Sequence, residues 1–303
     1  MPRFGLLNIN KPPGLTSRDV VNRVERLTRP DKAGHAGTLD PLATGVLIVC
    51  VGQATRLIEY LQRMPKRYRA TFLLGRSSPS DDVETQVSPL DDAPRPSREQ
   101  IAAALPRFVG PIMQRPPAYS AVHVAGQRAY ALARQGKSVD LPPREVTIHD
   151  VRIERYEYPE LVLEIECGSG TYVRSLGRDL AESLGSAAVM SALVRTAIGD
   201  FHVDAAIELD ALTTDNLLAA LSPARRAVTM LTTIELAADE VERIVRGQTI
   251  RRPVASADGQ WAALAPGGEL LAILRRREDG SLGPARVFPS ALESGPQSPP
   301  RAI

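Results

Sequence analysis

The sequence predicts a mixed α/β chain, of α+β character, followed by a smaller β-rich unit, and three observations carry that prediction. Period-two alternation and short apolar runs recur through the first two-thirds of the chain. Amphipathic stretches of helical period separate them. Near Thr229 the composition shifts, and short strand-like runs then follow one another with turn residues between them. At 303 residues the chain is long for one hydrophobic core and comfortable for two.

Taken in order, Leu6 to Asn10 reads as a short strand, and Lys11-Pro-Pro-Gly14 must turn. Thr16 to Asp19 offers a capping pattern for a helix whose inner face is Val20, Val21, Val24 and Leu27, and Pro30 ends it. Asp31 to Thr44 is polar and glycine-bearing and reads as a loop, leading into a buried strand over Val46 to Val51. A helix with Leu57, Ile58 and Leu61 inward comes next, then an alternating strand with Tyr68, Ala70, Phe72 and Leu74 on one face. Ser77 to Pro96, rich in Ser, Asp and Pro, is expected to be an exposed, partly mobile loop. Helices are expected over Arg98 to Phe108, around Arg128 to Gln135, and from Thr171, where Leu176, Leu180 and Leu184 stack. Strands are expected over Val146 to Ile153 and Leu161 to Cys167, with a turn at Gly168 to Gly170. Beyond Thr229, a helix over Asp239 to Arg246 stops at Gly247. Strands Trp261 to Leu264, Leu270 to Arg275 and Ala285 to Phe288 then form the β-rich unit, and Pro289 to Ile303 is expected to be a disordered tail.

Composition narrows the function. Hydrophobic residues are 43% and charged residues 24%, the balance of a globular protein, with a core left to aliphatics because aromatics are only 4%. The formal net charge of +2 is mild, but three basic runs stand nearly free of acids: Arg23, Arg26, Arg29 and Lys32; Arg63, Lys66, Arg67 and Arg69; and Arg275 to Arg277. Together they point toward a polyanion partner. Cys50 and Cys167 lie in apolar segments and read as buried free thiols, and neither they nor the four histidines have metal-site spacing. The N-terminus is broken by prolines before any signal-like apolar region develops, so the cytoplasm is the expected compartment. The Walker-type phosphate loop, the dinucleotide fingerprint and the Gly-x-Ser-x-Gly elbow are all missing, which weakens kinase, dehydrogenase and esterase readings.

One carboxylate stands out. Asp40 sits in GHAGTLDPLATG, Gly34 to Gly45. Pro41 restricts Asp40 to extended backbone, and the glycines permit positive φ or close approach. The loop is built to aim a carboxylate ahead of a buried strand. From its residues alone Asp40 is a candidate nucleophile, general base or metal ligand, or the centre of an ordinary Asx turn. An ionised Asp paired with an Arg best suits attack at an electrophilic carbon, of which glycosidic carbons are the familiar case.

Six blocks in order then carry a resemblance. Gly34 to Gly45 looks like the signature loop of the TruB family of tRNA pseudouridine synthases. Leu6 to Ser17 (LLNINKPPGLTS) resembles its opening motif, and Lys66 to Arg69 (KRYR) its tyrosine motif. Pro116 to Ala121 (PPAYSA), with Gly126 and Tyr130, resembles the next block. Gly170 to Leu176 (GTYVRSL) is similar to the arginine motif, and Leu193 to Gly199 (LVRTAIG) to a later one. The resemblance covers roughly Leu6 to Gly199. It implies a pseudouridine synthase core around a mixed, largely antiparallel sheet, acting on uridine 55 of the tRNA T loop. The family breaks the bond from ribose to N1 of uracil, rotates the base and rejoins it through C5, with neither cofactor nor metal. By the resemblance Asp40 is the essential carboxylate, with the ribose carbon and the base both open as its target. Tyr68 stacks on the base and is the candidate for removing the C5 proton, and Arg174 pairs with Asp40, where a bidentate guanidinium would fix and ionise it. Lys11, His35, Tyr172 and Leu193 complete the substrate site: Lys11 supports its architecture, His35 fills the space of the extruded base, and Leu193 lines the uracil pocket.

The implied organisation is a catalytic domain over 1–230 with an RNA-binding insertion near 105–145, a PUA-like RNA-binding domain over 231–290 and a tail over 291–303. The implied partner is tRNA, met by a monomer with neither membrane nor obligate protein partner, and the basic runs would track its phosphates. Two departures bear on RNA contacts: His123 stands where the family usually has lysine, and Ser77 to Asp82 differs from the usual Thr-Asp-Thr-rich form. The rival readings are a synthase with another RNA target and a non-catalytic tRNA-binding or folding protein. The retention of Asp40, Tyr68 and Arg174 argues against the second.

Overall fold

The computed structural model describes residues 3–117, 119, 123–124, 127–128, 141–254 and 259–289. The strands in chain order are β1 (Phe4–Lys11), β2 (Ala33–His35), β3 (Thr44–Gly52), β4 (Lys66–Leu74), β5 (Arg76–Ser77), β6 (Ser88–Pro89), β7 (Gly110–Gln114), β8 (His123–Val124) and β9 (Gln127–Arg128). They continue with β10 (Arg144–Glu157), β11 (Glu160–Cys167), β12 (Ala188–Ile198), β13 (Phe201–His202), β14 (Ile207–Glu208), β15 (Thr232–Glu235), β16 (Gln260–Leu264), β17 (Leu270–Arg276) and β18 (Leu282–Val287). The α-helices among the described residues are α1 (Ser17–Thr28), α2 (Ile58–Arg63), α3 (Arg98–Ala104), α4 (Val173–Ser183), α5 (Leu217–Ala220) and α6 (Ala238–Val245).

Ten strands form one mixed sheet along the order β14-β1-β3-β12-β4-β11-β10-β7, with β2 joined to β3 and β13 to β12. Its pairings are antiparallel except β1 with β14 and β12 with β3. The predicted α+β architecture with a largely antiparallel sheet is therefore present. β3 is buried on both faces, which explains its unbroken apolar run. Val46, Ile48 and Cys50 pack on one side, and Leu47, Val49 and Val51 face the apolar stripe of α1 on the other. The α1 cap is as expected: Thr16 accepts from the Asp19 N–H, and the Asp19 carboxylate accepts from the Thr16 N–H. Around β4, β11 and β12 the sheet is covered by α3 and α4, with Phe72, Leu163, Leu176 and Leu180 at the centre.

Gly177 lets α4 sit directly on the sheet, because a Cβ there would overlap the Phe72 ring. Gly177→Ala should destabilise the protein by about 1–3 kcal/mol through overpacking, outweighing the gain of about 1 kcal/mol in helix propensity. A rise in melting temperature for this variant would contradict that packing.

The second sheet has the order β15-β16-β17-β18 and its own core of Ile234, Ile244, Trp261, Leu271 and Leu274. Its other side contributes Ala262, Leu270, Ile273 and Phe288 to the cluster that holds Leu6, Val46, Ile48 and Cys50. Phe288 stacks on Phe4 with ring centroids 5.3 Å apart, and Tyr60 donates to Gln260 Oε1 at 2.8 Å.

Several expectations need correction. The Asp31 to Thr44 loop contains β2, whose Ala33, Gly34 and His35 pair with Val51, Cys50 and Val49. The helix expected to Phe108 gives way at Leu105 to a 3₁₀ turn, where Pro106 has no N–H to continue the ladder. The helix expected from Thr171 begins at Val173, with Tyr172 as its N-cap. The Ser77 to Pro96 segment is not uniformly exposed, since Ser80 and Asp82 are buried. Strand β12 was not anticipated at all. It carries two bulges, at Met190/Ala192 and Arg195/Ala197, and these break the alternation by which a strand is read. Of the helix expected around Arg128 to Gln135, Arg128 ends β9 and the rest lies outside the described residues, as does the tail beyond Pro289. Cys50 and Cys167 are free and buried as expected. No helix among the described residues is long and apolar enough to cross a membrane.

Candidate active site

The two halves of the large sheet meet where β3 and β12 pair for only two residues, Thr44 with Val194 and Gly45 with Arg195. The Asp40 loop enters β3 at that joint. Gly45 has φ +95°, and a Cβ on it would collide with the Arg195 backbone, so the close approach requires glycine.

The loop is held at almost every residue. Ser17 Oγ donates to Leu39 O at 3.2 Å and accepts from Leu39 N at 2.8 Å. Gly14 N donates to Pro41 O at 2.8 Å. Lys11 Nζ donates to Pro12 O at 2.9 Å and Pro41 O at 3.2 Å. Leu42 N donates to Glu84 Oε1 at 3.2 Å, and Ala43 N to Asp40 O at 3.1 Å. The opening segment Lys11 to Ser17 thus wraps the loop that bears Asp40, and a carboxylate held this way loses little freedom when it acts.

Arg174, from the first turn of α4, meets that carboxylate. Its Nε lies 3.1 Å from Asp40 Oδ2, as an ion pair without the alignment of a hydrogen bond. The expected bidentate clamp on Asp40 is absent, because the rest of the guanidinium is committed elsewhere. Nη1 donates to Asp82 Oδ2 at 2.9 Å and Ser80 O at 2.8 Å, and Nη2 to Tyr119 O at 3.1 Å. Asp82 is fully buried and also accepts from Ser80 Oγ at 2.5 Å and Glu84 N at 3.0 Å. Arg174 is therefore anchored by Asp82 and presents only its Nε edge to Asp40.

Burial pushes the Asp40 carboxyl above its ordinary range, and the nearby Asp82 charge adds to the rise. Arg174 pulls it back first, then Lys11 and Arg195. Burial lowers Lys11 to about 8 despite the Asp40 and Glu84 charges. Tyr68, half-buried on β4, pairs in register with Arg195 of β12 and Ile165 of β11. Burial raises its phenol, the Arg195 charge works against that rise, and the Asp40 charge reaches the same hydroxyl. Leu193 packs in the cluster that holds Leu39 and Ala43 of the Asp40 loop and Ala70 of β4.

The structure thus brings Asp40, Arg174, Lys11, Tyr68 and Leu193 together. His35 stands on β2 with its Nδ1 buried and unpartnered; burial lowers its pKa, and the Arg195 charge lowers it further. Tyr172 is tied to Gln114 and Arg144. Its N–H donates to Gln114 Oε1 at 2.7 Å, its carbonyl accepts from Gln114 Nε2 at 3.0 Å, and its ring lies under the Arg144 guanidinium at 4.8 Å. His123 falls on β8.

Sequence reasoning missed Asp82, Ser80, Glu84 and Arg195. The first three sit in a Ser/Asp/Pro stretch that looks like solvated loop. Arg195 had a legible signal, since period two from Leu193 turns an arginine inward. The second basic run is not free of acids in the folded chain. Lys66 is buried against Gln62 O and Ser169 Oγ, Arg67 pairs with Glu166 at 3.0 Å, and Arg69 holds Glu154 through bonds of 2.6 and 2.7 Å. Among the described residues no cluster of His, Cys, Asp and Glu could hold a metal ion.

Comparison with known proteins identifies the family. The TruB family pseudouridylate synthase N-terminal domain matches residues 25–173. The tRNA pseudouridine synthase B of Dehalococcoides mccartyi is 41% identical over 288 residues, 94% of this chain and 96% of that one. Its counterpart from Arthrobacter is 42% identical over 302 residues, covering 95% and 98%. Among solved structures, a Cbf5-Nop10-Gar1 complex shares the fold with a TM-score of 0.72 at 25% identity, covering 94% of this chain and 84% of that one. An H/ACA RNP bound to a substrate RNA containing 2'-deoxyuridine gives 0.73 at 24%, covering 94% and 85%.

Proposed function

The chain belongs to the TruB family of pseudouridylate synthases, and on that premise we propose that it converts uridine 55 in the T loop of tRNA to pseudouridine with Asp40 as the essential carboxylate. The observation that carries this reading is the Asp40–Arg174 ion pair at 3.1 Å, within a loop whose backbone is tied down on both sides of the aspartate. The uridine is flipped out of the RNA loop to reach it. The bond from C1' to N1 breaks, the base turns within the site, and C1' bonds to C5. The C5 proton leaves and N1 gains one, so the reaction is an isomerisation without net oxidation.

Each residue has a part in this reading. Arg174 keeps Asp40 ionised without occupying both its oxygens. Tyr68 stacks on the uracil, and its oxygen, as the phenolate that the Arg195 guanidinium favours, takes the C5 proton. Leu193 lines the uracil pocket, and Lys11 fixes the loop through Pro41. His35, kept neutral by burial beside Arg195, offers an uncharged ring for the vacated stack. Tyr172 borders the RNA at the start of α4. Residues 1–230 form the catalytic domain, with the 105–145 insertion gripping the RNA and a PUA-like domain over 231–290 extending the contact. The work is cytoplasmic and done by the chain alone.

The test is an unmodified tRNA transcript labelled with tritium at C5 of uridine, incubated with the protein in chelator. Tritium release, with pseudouridine mapped to position 55, is expected; release from another position would overturn the target, and no release the activity. Raising salt should weaken tRNA binding steeply, and a flat response would count against phosphate contacts.

A further inference from the structure

Arg195 is the largest of the fully buried side chains. It is 1% exposed, and among the described residues no carboxylate stands within ion-pair distance of it. A buried guanidinium without a counter-charge costs several kcal/mol unless its donors are well used. Here they are used chiefly on backbone carbonyls, with the Tyr68 hydroxyl as a side-chain partner. Nη2 donates to Gly37 O at 3.2 Å, Nη1 to Thr38 O at 3.4 Å, and Nε to Val46 O at 2.7 Å. The first two acceptors precede Asp40 and the third follows it. One rigid planar fork therefore grips both arms of the catalytic loop.

The same residue is opposite Tyr68 in the β4–β12 register, and its charge is felt at Lys11, His35, Asp40 and Tyr68. We infer that Arg195 is a positioning residue that holds the Asp40 loop and the Tyr68 phenol at a fixed separation across the joint between the two halves of the sheet. This rests on the reading of Asp40 and Tyr68 as the reacting groups. The need for arginine is geometric, since a lysine ammonium is a point donor that cannot span carbonyls from Gly37 to Val46. Asp82 fixes Arg174 from one side of Asp40, and Arg195 fixes the loop from the other.

The test uses full-length Arg195→Lys and Arg195→Met, with Asp40→Asn as reference. Three quantities are read: tRNA affinity, the single-turnover rate with C5-tritiated transcript, and the Tyr68 ionisation, isolated as the ultraviolet difference between each protein and its Tyr68→Phe partner. Groups facing that phenol are Arg195, Cys167 and Asp40. Arg195→Lys is expected to unfold cooperatively and bind tRNA within about threefold of the parent. Its single-turnover rate should fall about a hundredfold, the loss expected of a reacting group displaced by about 1 Å. In Arg195→Met the Tyr68 ionisation should move to higher pH.

A parent-like rate in both variants overturns the proposal, as does a rate loss fully accounted for by weaker tRNA binding. Loss of cooperative unfolding in both variants would assign Arg195 to the fold alone and overturn it too. If Asp40→Asn keeps its turnover, the reading of the site fails; if Asp40→Asn is inactive while Arg195→Lys is parent-like, only the role of Arg195 fails.

Discussion

Asp40→Asn should bind tRNA with parent affinity and turn it over at about a thousandth of the parent rate or less, the scale on which positioned acid–base and nucleophilic groups act. The substitution is nearly isosteric, and the loop is held by Ser17, Lys11, Glu84 and Arg195 rather than by the Asp40 side chain, so the fold should be unchanged. Single-turnover tritium release beside a thermal melt separates the two effects. Retention of more than a tenth of the rate would remove Asp40 from the chemistry. The parent should also lose activity as pH falls through the Asp40 carboxyl, which burial places above the usual carboxylate range. The sign follows because the ionised form is the active one. An acid limb at or below the ordinary value would contradict the buried environment.

Tyr68→Phe should give the second large effect, with a different signature. The ring and its stacking surface remain, so tRNA affinity should stay within about twofold. The hydroxyl is lost, and single-turnover release should fall about a hundredfold to ten-thousandfold, the range of general-base contributions. A parent-like release rate would exclude the phenol as the C5 base. An equal loss in affinity and rate would make Tyr68 a binding residue only. Burial raises the phenol, and the Arg195 guanidinium, which favours the ionised form that a base must have, works against that rise.

The sequence made the half of the candidate site proposed to react legible because motif residues sit on regular elements or tight loops. Val46 to Val51 reads as a buried strand from its unbroken apolar run, and Thr16 to Asp19 as a cap from its spacing alone. Asp40 is marked by the proline after it and the glycines around it. The supporting half was hidden by long-range pairing. Asp82 is 42 residues from Asp40 in sequence and looks like surface until α4 brings Arg174 against it. Arg195 lies between two bulges of a strand unread as such, so the local period that turns it inward went unused, and three distant carbonyls explain its burial. The second basic run misled because its acids, Glu154 and Glu166, arrive from neighbouring strands.

The shared core between the two sheets bears on how the molecule can be cut. Phe288, Ile273, Leu270 and Ala262 fill the back of β1 and β3, the strands that deliver the Asp40 loop. Severing the chain near 230 would strip that back, and each large apolar side chain newly opened to water costs about 1.5–3 kcal/mol. The C-terminal sheet is thus a structural lining of the catalytic loop's own strand. A truncated or chimaeric protein would need a replacement lining before its catalysis could be compared with that of the whole.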